Sequence, residues 1–228
     1  MTGEGRTELS SSPCMAEEVE KGLFDPLASQ EDEWRAIARW RKLERERLRG
    51  ERMLLRQDKR ATIAEALMLE LDAYLESRLG DPAGRIISGY WPIKGEPDLR
   101  PWLISLIERG AIVALPVVVV PSAPLVFRRW TPETKMERGN WNIPVPPAEA
   151  AVLVPDIALA PLVGWDSRGY RLGYGGGYFD RTLASLSPCP HVIGIGLQSA
   201  HIGTIYPQPH DIRLSAIVTE AGVQVEPR

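Results

Sequence analysis

Apolar positions in this chain change period several times, and the changes mark its elements. From Glu33 to about Gln57, Trp34, Ile37, Trp40 or Arg41, and Leu48 recur at helical spacing in an arginine-rich background. Ala61 to Leu79 carries a second helical stripe of Ile63, Leu67, Leu71, Tyr74 and Leu75, and Gly80-Asp81-Pro82 stops it. Beyond that point short apolar runs alternate with helical ones. Arg85–Tyr90, Ala111–Leu115, Val117–Val120, Leu125–Trp130, Ile157–Val163, His191–Leu197 and Leu214–Thr219 read as strands. Leu99–Arg109 and Tyr178–Leu186 read as helices, and Asn140–Pro147, held by its prolines, as an extended segment. This alternation predicts an α/β fold with a mostly parallel sheet covered on both faces. Residues 1–30 are rich in Ser, Gly and Glu with little periodicity, and predict a disordered or loosely attached extension. Residues 31–228 then form one α/β domain.

Composition narrows the class. An apolar fraction of 44% with 25% charged residues is that of an ordinary soluble protein. A net charge of −3 argues against a generic nucleic-acid binder. The longest apolar run, Ala111–Val120, is interrupted by Pro116 and is too short to span a membrane. Of the cysteines, Cys14 and Cys189, one lies in the extension, so no structural disulfide is expected and a reducing compartment fits. No His/Cys cluster has zinc spacing. The first 33 residues are acidic and lack an apolar signal core, so a cytoplasmic protein is expected.

The chemistry concentrates in one stretch. Gly169, Gly173, Gly175, Gly176 and Gly177 sit between a strand and a helix, where free amides can converge on an anion beside the helix N-terminus. Arg171 and Arg181 flank the loop with guanidinium groups that fork onto phosphate oxygens. Asp180 beside such a site makes sense if a Mg²⁺ lies between carboxylate and phosphate. The glycines alone also suit a flexible turn. The loop is not a Walker A motif, since no Lys-Ser/Thr follows it, and it fits the dinucleotide fingerprint poorly.

Other stretches join it. Lys42, Arg45, Arg49 and Arg52 fall on one side of the first helix, either as a solvated, salt-bridged face or as a row of cations against a polyphosphate. Tyr90–Asp98 is a loop after a strand, the position in which α/β proteins place ligands. There Trp91 offers a stacking face and Glu96 an acceptor, although Glu96 equally suits a helix N-terminus. If the strand after the glycine loop neighbours the strand after Asp211, Asp180 and Asp211 approach one metal.

Taken together, Asp166-x-x-Gly169-Tyr170-Arg171-Leu172-Gly173-x-Gly175-x-Gly177-Tyr178-Phe179-Asp180 closely resembles the signature of the 5-formyltetrahydrofolate cyclo-ligase family. Tyr90–Asp98 resembles the family's folate loop. Trp141–Pro144, Pro161–Asp166, Gln198, Pro209–Asp211 and Thr219-Glu220 match in order, so the likeness covers roughly residues 40–222. It implies a three-layer α/β/α sandwich of the kind shared with sugar-phosphate isomerases and coenzyme A transferases. It also implies ATP- and Mg²⁺-dependent conversion of 5-formyltetrahydrofolate to 5,10-methenyltetrahydrofolate.

Carried over residue by residue, Lys42, Arg45 and the run Arg171, Leu172, Gly173, Tyr174, Gly175, Gly176, Gly177, Tyr178 and Phe179 would bind ATP. Arg171 and Tyr178 would take the catalytic roles. Trp91, Glu96 and Tyr174–Tyr178 would contact the folate, and Asp180 and Asp211 the metal. The chain departs from the pattern at Tyr174 or Gly176 and near Ser122, where the family often has a basic residue, and at Val145, where many members carry Glu. The expected partners are 5-formyltetrahydrofolate and ATP, with no nucleic acid and no membrane, and the expected assembly is a monomer or weak dimer. The alternatives are a non-catalytic folate- or nucleotide-binding regulator on the same scaffold, and a kinase-like enzyme for another carbonyl substrate. Retention of Asp180, Asp211 and Glu96 speaks against a mere binder.

Overall fold

The computed structural model describes residues 30–226. The expected extension, with Cys14, lies almost wholly outside the described residues. The helices are α1 (Gln30–Leu54), α2 (Gln57–Tyr74, ending in a π-turn at Leu75–Leu79), α3 (Arg100–Glu108) and α4 (Tyr178–Ser185). The principal strands are β1 (Ile86–Ser88), β2 (Ile112–Val117), β3 (Val126–Arg129), β6 (Val152–Leu153), β7 (Ile157–Pro161), β10 (His191–Ile195), β11 (Ala216–Thr219) and β12 (Gly222–Val225). Short pairs complete the set: β4 (Glu137–Arg138) with β5 (Pro144–Val145), and β8 (Gly164–Trp165) with β9 (Arg171–Leu172). The chain divides into two compact units at Trp40–Arg41, within α1, and residues from Arg41 onward carry the sheet and every site described below.

The eight principal strands form one sheet in the order β12-β11-β10-β7-β1-β2-β3-β6. Its centre, β11 through β2, is parallel, while β12 at one side and β3 and β6 at the other are antiparallel. The α/β expectation therefore holds, with antiparallel margins. The central strands read as continuous apolar runs because both faces are covered: Ile157, Ala158, Leu159 and Ala160 are all buried, as are Ala216, Ile217 and Val218. Leu67 and Leu71 of α2 are completely buried on the stripe that its periodicity predicts.

Two sequence expectations need correction. Ala111–Leu115 and Val117–Val120 are not two strands. β2 runs straight through Pro116, because β2 pairs antiparallel with β3 on that side and a proline needs only an N–H vacancy in the ladder. The chain then leaves the sheet, and Val119 and Val120 are exposed. Asn140–Pro147 is not uniformly extended: Asn140–Asn142 makes a tight 3₁₀ turn with Trp141 at φ 54° and Asn142 at φ 61°. Trp141 stands out of the core, 69% exposed.

Sheet order also fixes where a ligand belongs. From β1 the chain crosses to β2 on one side, and from β7 it crosses to β10 on the other. The carboxyl ends of the adjacent strands β1 and β7 thus form the topological switch point, where loops diverge and leave a crevice. The Tyr90–Asp98 loop leaves β1 there, and the run toward the glycine loop leaves β7. Leu71→Ala, which empties a site with no access to solvent, should lower unfolding free energy by about 2–5 kcal/mol in urea titration, leaving the denaturant slope unchanged.

Candidate active site at the switch point

The glycine loop grows out of the β8–β9 hairpin. Asp166, fully buried, closes that hairpin: its Oδ1 accepts from the amides of Arg168 and Tyr170 (3.0 and 3.2 Å), and its Oδ2 from the amide of Ile205 (3.1 Å). The hairpin delivers Arg171 and the buried Leu172 into the core and leaves Gly173–Gly177 free. Gly175 and Gly177 have φ of 96° and 62°, values that a side chain would strain. A Cβ on Gly176 would also meet the Tyr178 ring at 2.8 Å. Gly177 is the N-cap of α4 and offers no side-chain cap, so the first amides of α4 remain available. Phe179 lies under the Arg171 guanidinium at 5.4 Å. Tyr178 lies under that of Arg181 at 5.2 Å, meets Trp141 edge-on at 5.6 Å, and accepts the Ser122 amide at its hydroxyl (3.3 Å).

Three arginines gather at the base of the loop. The Arg171 guanidinium is buried; its Nη2 donates to Asp180 Oδ2 at 2.9 Å, while its Nη1 has no protein partner. Arg45 Nε donates to the Gly173 carbonyl at 2.7 Å. Arg41 bonds both oxygens of Asp211 and also the Ile205 carbonyl (2.9 Å) and the Tyr206 carbonyl (2.9 Å). Burial pushes the Arg171 pKa down, against the pull of Asp180 and Asp211. Burial and the neighbouring Arg41 do the same to Arg45. Both nevertheless stay protonated. Cations held in a site that disfavours their charge, one with an unspent donor, form a receptor for an anion.

Asp180 reaches the segment that carries Asp211. β10 and β11 pair in parallel, and Asp180 Oδ1 accepts the amide of Ile212, the residue after Asp211, at 3.3 Å. Burial opposes ionisation of Asp211, but hydrogen bonds from Arg41 and the Gln208 amide, with the charges of Arg41 and His210, hold it below the usual carboxylate range. Among the described residues no group of three or more His, Cys, Asp or Glu could by itself hold a metal ion. The two carboxylates are hard oxygen donors of the kind Mg²⁺ takes, and here each is paired with an arginine, Asp180 with Arg171 and Asp211 with Arg41.

A second cluster faces the crevice. Glu96 is buried; its Oε2 accepts the Ile93 amide (2.8 Å) and its Oε1 the Tyr174 hydroxyl (2.6 Å). Burial raises its pKa, and these bonds with the charges of Arg52 and Lys94 partly offset the rise. Tyr174 is the side chain between Gly173 and Gly175, so this one hydrogen bond spans the crevice from the glycine loop to the β1 loop. Lys94 and Gly95 turn that loop with positive φ, 49° and 76°. Trp91 stacks under the Arg100 guanidinium at 4.7 Å. A cavity of about 240 Å³ lies beside Arg52 among Leu48, Leu55, Pro97, Leu162 and Leu197, too small for a whole nucleotide or pterin-bearing ligand.

The sequence-predicted residues thus fall into two groups. Arg45, Arg171, the glycines, Asp180 and Asp211 come together around the loop, and Glu96 and Tyr174 meet across the crevice. Lys42 is exposed. Its neighbour Arg41 turns inward instead, and Arg41, Arg45, Leu48 and Arg52 form the inward stripe. Arg52 stood in the expected row of cations and Arg41 on the expected helical stripe; the sequence did not show that both are buried, because a charged residue on an apolar stripe reads as a break in the pattern. Asp166 offered no signal beyond its place in the motif.

A switch-point crevice lined by an amide-rich loop and arginines defines an α/β protein whose site is suited to anionic ligands. Residues 37–220 match the 5-formyltetrahydrofolate cyclo-ligase family, and the chain belongs to it; it is a ligase. The 5-formyltetrahydrofolate cyclo-ligase of Mycolicibacterium smegmatis is 33% identical over 145 residues, 60% of this chain and 74% of that protein. That of Escherichia coli K12 is 31% identical over 135 residues, 57% and 74%. The fold is that of Aquifex aeolicus 5,10-methenyltetrahydrofolate synthetase (TM-score 0.68, 24% identity, 81% of this chain and 91% of that one). The Mycoplasma pneumoniae synthetase shares it too (TM-score 0.64, 24% identity, 79% and 98%).

Asp211 binds fewer protons in the folded state than in the unfolded one, so its contribution is present near neutrality and is lost as pH falls through its lowered folded pKa. Urea midpoints at about pH 7 and pH 3 should therefore differ less in Asp211→Asn than in the wild type.

Proposed function

We propose that the chain joins N5 and N10 of 5-formyltetrahydrofolate through the formyl carbon, consuming ATP and releasing ADP and phosphate. The observation that carries this reading is the Tyr174–Glu96 hydrogen bond, which sets an anion-gripping loop and a buried acceptor one hydroxyl apart across the crevice. An enzyme that phosphorylates an amide oxygen must bring a triphosphate to that atom in line and neutralise the charge that develops. Here the amides of Gly173–Gly177 and α4 receive the phosphates, and Arg171, with its unspent Nη1, steadies the transferring group. Arg41 and Arg45 supply further positive charge. Lys42, on the outer side of α1, reaches only the periphery.

The formyl oxygen attacks the γ-phosphorus and ADP leaves. The resulting phosphorylated imidate carries an electrophilic carbon. N10 adds to that carbon and loses its proton, and the carbon–oxygen bond breaks to release phosphate. Glu96 accepts an N–H of the reduced pterin, and Tyr178 closes the site over the reacting group with Trp141 at its edge. Trp91 flanks the folate loop. Asp180 and Asp211 would hold Mg²⁺, which would shield the phosphate charge. Two features support an enzyme over a mere binder: both acidic residues sit at the arginine-lined end of the loop, and a buried donor of Arg171 is left free.

Folinic acid, ATP and Mg²⁺ mixed with the protein should yield the near-ultraviolet absorbance of the methenyl product in step with ADP. Asp180→Asn leaves the buried Arg171 without its counter-ion and should lower the melting temperature, and at a temperature where the variant stays folded by circular dichroism kcat should still drop by about 10²-fold or more. Binding of 5-formyltetrahydrofolate without ADP release in the wild type would instead identify the regulator.

A further inference from the structure

Arg52 is buried, 5% exposed, yet its guanidinium is bonded to no carboxylate among the described residues. Its donors go to uncharged oxygens from three separate stretches. Nε donates to the Lys94 carbonyl in the β1 loop (3.1 Å), Nη1 to the Leu162 carbonyl just beyond β7 (3.3 Å), and Nη2 to the Tyr174 hydroxyl of the glycine loop. The balancing negative charge is Glu96, on the far side of that hydroxyl. A buried cation normally needs a direct counter-ion. A direct Arg52–Glu96 bridge, however, would fill the acceptor with donors. The interposed hydroxyl keeps the attraction while making the bond to Glu96 exchangeable: an incoming N–H can take Glu96 Oε1, and Tyr174 stays held by Arg52.

Resting on the folate reading above, we propose that Arg52 is a positioning residue for the reduced folate. It fixes the Lys94 carbonyl and the Tyr174 hydroxyl so that Glu96 stays in place, and free to exchange partners, for an N–H donor of the pterin. Arg52 touches no reacting atom; it acts through Tyr174 and Glu96.

This role has a signature that mere packing lacks. The charged and titratable groups acting on Glu96 are Tyr90 and Lys94 from its own loop, Tyr174 from the glycine loop and Arg52 from α1, with Asp98 acting on Tyr90 and Arg49 over the Tyr174 ring. Burial drives the Glu96 pKa up, and Arg52 is one of the cations that restrain it. Loss of Arg52 removes that restraint, so Glu96 takes up its proton at higher pH and stops accepting there. The acid limb of folate binding should move upward.

The test is calorimetric titration of the full chain with 5-formyltetrahydrofolate, without ATP, from about pH 5 to 8. Arg52→Met should weaken binding at the upper end about tenfold and raise the midpoint of the acid limb by about one pH unit. Arg52→Lys, which keeps the charge, should hold the wild-type midpoint with a smaller loss of affinity. Arg52→Lys combined with Tyr174→Phe should bind no more weakly than Tyr174→Phe alone, because the two side chains act as one unit. An Arg52→Met midpoint equal to wild type, or full additivity of Arg52→Lys with Tyr174→Phe, would overturn the inference. A wild type that fails to bind the folate at any pH would overturn the reading of Glu96 itself, and this inference with it.

Discussion

Buried positive charge is the constraint on which this structure turns. Arg41, Arg52 and Arg171 all lie below the surface, and each must be answered. Arg41 is answered by Asp211, Arg171 by Asp180, and Arg52 by the oxygens of three loops. Asp180 lies only nine residues from Arg171, but the partners of Arg41 and Arg52 come from positions far along the chain, so the bonds that make those two cations tolerable also draw α1, the glycine loop and the segment before β11 into one site. A purely apolar interface of the same size would hold these segments together without specifying which loop end meets which.

The two arginine–carboxylate pairs and the Arg52 arrangement differ in kind. Asp211 and Asp180 take their cations directly, and both sit at the anion-gripping end. At Glu96 the cation is kept one hydroxyl away. Under the proposed function, the strongly paired charge lies where phosphate would bind and the loosely tied acceptor where the organic substrate would bind. That division follows from which residue stands between Gly173 and Gly175: an arginine or lysine there would face Glu96 as a charge, whereas Tyr174 faces it as a single donor.

Much of this was legible in the chain. The apolar runs of β7, β10 and β11 announced buried parallel strands, and the stripe of Leu67 and Leu71 announced α2, because both patterns record burial directly. The glycine loop was legible because a backbone with φ of 96° at Gly175 leaves few alternatives. What stayed hidden depends on tertiary context. The inward turn of Arg41 in place of Lys42 is a one-residue rotation of α1, about 100°, and it is selected by partners more than 160 positions away, Asp211 and the carbonyls of Ile205 and Tyr206. The antiparallel margins comprise β12, β6 and β3: β6 and β12 are too short to register as periods, and β3, legible as a strand, carried no sign of its direction. The exit of the chain from the sheet at Val118 was masked by valines that continue an apolar run while facing solvent.

The carboxylate of Asp166 has one further implication. It receives amides from its own turn and from Ile205, so the hairpin and the Ile205 segment cannot slide past one another without stranding a charge in the interior. The ground under the loop is therefore stiff. Shape change in the glycine loop is thereby directed to its tip, a few backbone torsions between Gly173 and Gly177, and not to the hairpin that carries it.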